Sequence, residues 1–123
     1  MIYNYFSIKS MDSLEQIISI QREYISILAE NHPKVITDDK EELLSKLCTA
    51  IIHEACELQN LTNWKWWKNS RKEFDIIKAR EELIDIMHFV IHAAIVLDMD
   101  ANDVLQEYIK KNNINRARQY NGY

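Results

Sequence analysis

The 123-residue sequence has almost no backbone breakers: one glycine and one proline. The glycine is Gly122, near the C-terminal end, so the chain holds no glycine-rich phosphate loop of the Walker or Rossmann kind. Any phosphate it binds has to be met by side chains or metal ions. With so few breakers, and with apolar residues recurring at three and four rather than alternating, the chain is expected to be all-helical. Long apolar runs are missing too, none approaching the roughly 20 residues of a membrane span. The first ten residues, MIYNYFSIKS, lack the basic region, continuous apolar stretch and small-residue cleavage site of a secretion signal. A cytoplasmic protein is expected. Cysteine is scarce: Cys48 and Cys56 fall in one predicted helix, about 12 Å apart along its axis and beyond disulfide reach. Buried thiols in a reducing compartment are expected. Positive charge is in the minority, 15 Lys and Arg against 19 Asp and Glu, a net charge of -4. That balance argues against a general nucleic-acid binder, whose backbone contacts require a basic surface.

What is present fits one domain over residues 1–123, small enough to need a partner. The pattern predicts a bundle of four main helices. The first, about 13 to 30, carries Leu14, Ile17, Ile18, Tyr24, Ile25 and Leu28 on one side and ends before Pro33. The second begins near Asp38, with Thr37 and Asp38 offering an N-cap and Glu41 and Glu42 in the first turn, and runs to about Leu61. The third, about Lys72 to Leu97, is apolar almost all round in its later half, MHFVIHAAIVL, which marks it as the central element. The fourth starts after Asp98 or Asp100 and continues to about Gln119.

Acidic pairs at i and i+3 recur along the chain, so spacing alone says little. Turning about 100° per residue separates them by face. Glu54 falls in the same arc as Leu43, Leu47, Ala50, Leu58 and Leu61, with Glu57 about 60° to one side. On the third helix Glu82 shares its arc with Ile86, Phe89, Ala93 and Val96, and Asp85 lies beside it. The other four pairs, Asp12 with Glu15, Asp38 with Glu41, Asp39 with Glu42 and Asp100 with Asp103, sit near predicted helix starts, where capping explains them. Two antiparallel helices therefore present carboxylate pairs to a shared interior. Four converging carboxylates repel unless cations enter. Hard divalent ions bound through oxygen, Mg²⁺ with Mn²⁺ as a substitute, suit such a cluster better than zinc. The competing reading is a structural network in which Lys78, Arg80 or another basic side chain neutralises the acids. Asp85 and His88 also form an Asp-x-x-His, reminiscent of di-iron bundles, although those need two such motifs. His88 and His92 are otherwise read as core or supporting histidines.

Lys111, Asn115 and Arg118, spaced i, i+4, i+7, lie in one narrow arc and suit a row of phosphate oxygens. A solvated helix end that favours cations is the alternative. Trp64, Trp66 and Trp67, interleaved with Lys65 and Lys68, can stack on a base while the lysines meet phosphate, or can cap a bundle end. Gln21 occupies a seam position, where an amide either reads a pyrimidine edge or is a tolerated polar residue at an interface.

Taken in order, these motifs resemble the all-α nucleoside triphosphate pyrophosphohydrolases, most closely the dimeric, phage-type dUTPase branch related to MazG-like enzymes. Glu54-Ala-Cys-Glu57 is similar to the Glu-x-x-Glu motif, Asn63-Trp-Lys-Trp-Trp-Lys68 to the segment after it, and Glu82-Leu-Ile-Asp85 with His88-Phe89 to the Glu-x-x-Asp helix. The stretch from Lys111 to Gln119 is similar to the C-terminal phosphate motif. The resemblance implies that Glu54, Glu57, Glu82 and Asp85 hold Mg²⁺, that Lys111, Asn115 and Arg118 grip phosphates, and that Gln21 and Trp67 contact the base. It implies a metal-activated water attacking the phosphate chain of dUTP to give dUMP and pyrophosphate, with Glu57 favoured as base and Glu54 beside it, in a homodimer or higher assembly. dCTP or a broader set of triphosphates is the alternative substrate. The chain is short for that branch, so an insertion that covers the nucleotide is either missing or supplied by a second subunit. The rival classes are a helical nucleotide- or partner-binding module without catalysis and a structural interaction protein.

Overall fold

The computed structural model describes residues 12–33 and 37–122. Among them the chain forms four helices and no strand: α1 Ser13–Asn31, α2 Lys40–Asn60, α3 Ile76–Val96 and α4 Ala101–Tyr120. This is the all-α bundle expected from the spacing. The reading of the first ten residues lies outside the described residues. No helix among those described is long and apolar enough to cross a membrane.

Every one of these helices starts on an aspartate. Asp12 accepts from the Glu15 amide at 2.9 Å and Glu15 returns to the Asp12 amide at 3.3 Å. Asp39 accepts from the Glu42 amide at 3.0 Å and Asp75 from the Lys78 amide at 3.0 Å. Asp100 and Asp103 form a second reciprocal pair at 2.8 and 3.0 Å. Each cap satisfies an amide that the first turn leaves unpaired, worth typically ~1 kcal/mol. Three of the four acidic pairs assigned to helix starts are thus caps. Asp38 is not one: the Asp39 amide donates to Thr37 Oγ1 at 3.1 Å, which turns Asp39 into the capping position.

The third helix begins at Ile76 rather than near Lys72. The cause lies nine residues upstream. Asn63 Nδ2 donates to the Lys72 carbonyl at 2.9 Å, and Asn63 Oδ1 accepts from the Lys72 amide at 3.0 Å. Lys72 Nζ donates to the Asn60 carbonyl. With both of its backbone groups held by the loop, Lys72 cannot open a helix, and the chain waits for Asp75.

Helices α2 and α3 form an antiparallel hairpin, α1 packs on α3, and α4 touches α1. As expected, α3 is the central element. Leu43, Leu47, Ala50, Glu54 and Leu58 on α2, and Leu61 that caps it, are all at least partly shielded, as are Glu82, Ile86, Phe89, Ala93 and Val96 on α3. The facing arcs are those read from the periodicity. Cys48 and Cys56 are exposed, contrary to expectation. Cys56 lies two residues past Glu54, about 200° round the helix, and Cys48 about 240° away from it, so both point off the single face that α3 covers.

The outer helices are covered less than their apolar stripes suggest. On α1, Ile18 and Gln21 are buried, but Ile17, Ile20, Tyr24 and Ile27 remain exposed. On α4, every residue from 105 to 120 is exposed, Leu105, Tyr108, Ile109 and Ile114 included. The turn before α4 is set by Asp98, in the left-handed region at φ 57, a conformation aspartate tolerates better than most residues. Lys40 donates to its carboxylate and ties the start of α2 to that turn.

Candidate metal centre and its surroundings

Glu54 stands six residues before the end of α2, while Glu82 and Asp85 stand one turn apart in the first half of α3. The antiparallel hairpin carries them to one place. One oxygen from each of the three lies within 4.8 Å of the others. Glu54 Oε2 is buried and has no hydrogen-bond partner. Burial, then the negative charges of Glu57 and Asp85, push the Glu54 carboxyl above its ordinary value. An orphaned carboxylate oxygen in a purely oxygen donor set fits a hard divalent cation and offers nothing to a thiophilic one.

The Lys78 side chain touches this cluster. The Lys78 ammonium lies 3.4 Å from Glu82 Oε1 and 3.7 Å from Glu81 Oε2. The hydrogen bond to Glu82, then its charge, raise Lys78 above the ordinary lysine value. Of the basic residues named as neutralisers, Lys78 makes this contact. Glu57, the fourth expected ligand, is not among the three converging carboxylates. Its Oε1 lies 3.1 Å from His53 Nε2, one turn back on the same helix. His88 does not join the cluster either: its Nδ1 pairs with the Ile84 carbonyl at 3.0 Å, and the Asp-x-x-His motif makes no ligand pair. Burial lowers His92 below the ordinary histidine value, which keeps it neutral near pH 7.

The raised Glu54 pKa fixes the sign of a pH effect. As pH rises from the ordinary carboxylate value, Glu54 ionises first in the unfolded chain, so its contribution to stability falls through the window up to the folded value and stays low above it. In chelator, Glu54→Gln is therefore expected to melt above wild type at pH 7, with the gap closing as pH is lowered to about 4. Thermal melts of both proteins across that range check this; a gap that widens in acid would refute it.

The other expected site residues fall into separate groups. Gln21, 5% exposed, sits in an apolar cavity of about 210 Å³ with Ile17, Ile20, Ile84, Met87, His88 and Ile91. Trp67 does not line that cavity. Its ring packs edge-on against Trp64 at 5.7 Å and Trp66 at 4.7 Å, while Lys65 lies over the Trp64 ring at 5.5 Å. The loop latched by Asn63 borders an open basic pocket of about 480 Å³, with Lys65, Lys68, Arg71 and Lys72 along it. Lys111, Asn115 and Arg118 lie on the exposed length of α4. Sequence reasoning did not find His53 beside Glu57, visible as an i, i+4 pair, nor the Ile84–Met87–His88–Ile91 wall around Gln21.

Comparison with known proteins bears on this arrangement. A family model described as dUTPase matches residues 13–102, which takes in α1, the carboxylate hairpin and the start of α4. A dCTP pyrophosphatase of Enterobacteria phage T4 is 31% identical over 99 residues, covering 72% of this chain and 56% of that protein. A dCTP pyrophosphatase of Enterobacteria phage LZ5 is 35% identical over 71 residues, covering 49% of this chain and 41% of its own length. The chain thus spans about half the length of these curated relatives. No solved structure matches it significantly. With the match running through the helices that carry Gln21, Glu54, Glu57, Glu82 and Asp85, the chain belongs to the dUTPase family.

Proposed function

We propose that the protein is a Mg²⁺-dependent pyrophosphohydrolase of pyrimidine deoxynucleoside triphosphates, converting dUTP or dCTP to the monophosphate and pyrophosphate. The observation that carries this reading is the convergence of Glu54, Glu82 and Asp85 from two facing helices around an unpartnered carboxylate oxygen. A helix pair that only had to pack would place apolar groups there. When bound, Mg²⁺ supplies neutralisation of the phosphate chain and a coordinated water of lowered pKa. Glu54, Glu82 and Asp85 would hold the ion, and Glu57 would complete the set on turning from His53. Glu57, half-exposed beside them, is the group assigned to take the proton of the attacking water.

Gln21 is suited to a pyrimidine edge from within its apolar cavity. A glutamine amide presents one donor side and one acceptor side and can turn over, so it matches uracil in one orientation and cytosine in the other. dUTP is the reading of the family description, and dCTP the one favoured by the names of the two phage relatives. Trp67 is assigned to the open side of the base.

Lys111, Asn115 and Arg118 are assigned to the phosphates. Because α4 carries them along an uncovered helix, we place them in the site of a second copy, in a homodimer or higher assembly of this single-domain chain. The exposed apolar residues Ile17, Ile20, Leu83, Ile84, Met87 and Val90 on α1 and α3 give such an assembly a surface to bury. The deciding experiment incubates the protein with each deoxynucleoside triphosphate, with and without MgCl₂, and identifies products by mass. Monophosphate and pyrophosphate from dUTP or dCTP only with Mg²⁺ supports the reading; no product from either pyrimidine, or metal-independent turnover, overturns it.

A further inference from the structure

We infer that Lys78 is a placeholder cation for the acidic cluster, which neutralises Glu82 in the metal-free protein and opposes the entry of the divalent ion, so that this residue sets the affinity of the site. The inference rests on the metal reading above. Only 12% of the Glu82 side chain is exposed. A carboxylate covered to that degree is costly to keep ionised without a positive partner. Lys78 is that partner, one helical turn before it, with its ammonium 3.4 Å from the carboxylate.

The neighbouring geometry also gives Lys78 somewhere to go. Glu81 lies 3.7 Å from the same ammonium, its side chain is 64% exposed, and it is not one of the converging carboxylates. The lysine side chain itself is 52% exposed and flexible. When an ion takes the Glu82 oxygen, Lys78 can shift to Glu81 or to water without leaving a buried charge behind. Until then it competes for an oxygen the ion needs, and its charge repels the approaching ion. One unit charge about 6 Å from a dication in a water-like dielectric changes affinity about tenfold.

The test is calorimetric titration with MgCl₂ of wild type, Lys78→Met, Lys78→Gln and Lys78→Arg, together with thermal melts in chelator. Lys46→Met is the control: it removes a cation that pairs with Glu42 at 2.6 Å outside the cluster, and so changes net charge equally. Lys78→Met and Lys78→Gln are expected to bind Mg²⁺ about tenfold more tightly than wild type. In chelator they melt lower, and on adding Mg²⁺ they gain more. Lys78→Arg, which keeps the charge, stays within about twofold of wild type, and so does Lys46→Met. Wild-type or weaker affinity in both neutral Lys78 variants overturns the inference, as does equal tightening in Lys46→Met. Failure of the wild type to take up any Mg²⁺ overturns the metal reading itself, and this inference with it.

Discussion

Replacing Glu82 by glutamine is expected to lower kcat about 10³-fold with helix content unchanged. Glutamine keeps the volume of a side chain that is 12% exposed, so the α2–α3 contact has no reason to collapse. What it removes is the negative charge that water cannot replace from the covered side of the cluster. Glu57→Gln is expected to behave differently. Glu57 is 45% exposed and paired with His53, so its loss should abolish turnover while Mg²⁺ uptake, though weakened, persists through Glu54, Glu82 and Asp85. Calorimetry with MgCl₂, pyrophosphate release and circular dichroism on the two variants separate these roles. Full turnover by Glu82→Gln would remove the cluster from the chemistry.

The second large effect concerns Arg118. Arg118→Ala is expected to reduce kcat/KM about 100-fold, because a guanidinium fork that meets developing charge on a phosphate is not replaced by solvent. If the site joins the carboxylates of one copy to α4 of another, two inactive proteins should rescue each other. Mixed dimers of Glu82→Gln and Arg118→Ala chains contain one wholly wild-type site and one doubly altered site. After unfolding and co-refolding at equal amounts, about a quarter of wild-type activity should return under random pairing. Recovery no greater than the sum of the separate variants would show that α4 serves the cluster of its own chain.

Much of the fold was legible because helical periodicity is a local property. The arc through Leu43, Leu47, Ala50 and Glu54 and the arc through Glu82, Ile86, Phe89 and Ala93 each follow from a turn of about 100° per residue, and they meet as read. The aspartate caps Asp12 and Asp100 were legible for the same reason. What was not legible depends on contacts between distant residues. The start of α3 moved from Lys72 to Ile76 because a side chain nine residues upstream holds the Lys72 backbone. The stripe through Ile17 and Tyr24 on α1 marks an apolar side, but periodicity does not say whether the covering element belongs to the same chain. Glu57 was grouped with the ligands by its place beside Glu54. Its turn toward His53 is a rotamer choice that helical position leaves open. The proximity of Lys78 to Glu82 was available as an i, i+4 spacing. Its consequence was not, because that depends on how far Glu82 is covered.

The latch at Asn63 carries a consequence for how this chain can vary. A single short amide gives its donor to one side of Lys72 and its acceptor to the other, and no other natural side chain of that reach has both. Aspartate retains only the acceptor, serine and threonine are too short, and glutamine is one methylene too long. In a library holding all twenty amino acids at this position, selected for folded protein, asparagine should be retained almost alone, whereas neighbouring Thr62 should drift. Ready acceptance of aspartate would show that the tryptophan loop keeps its shape by other means.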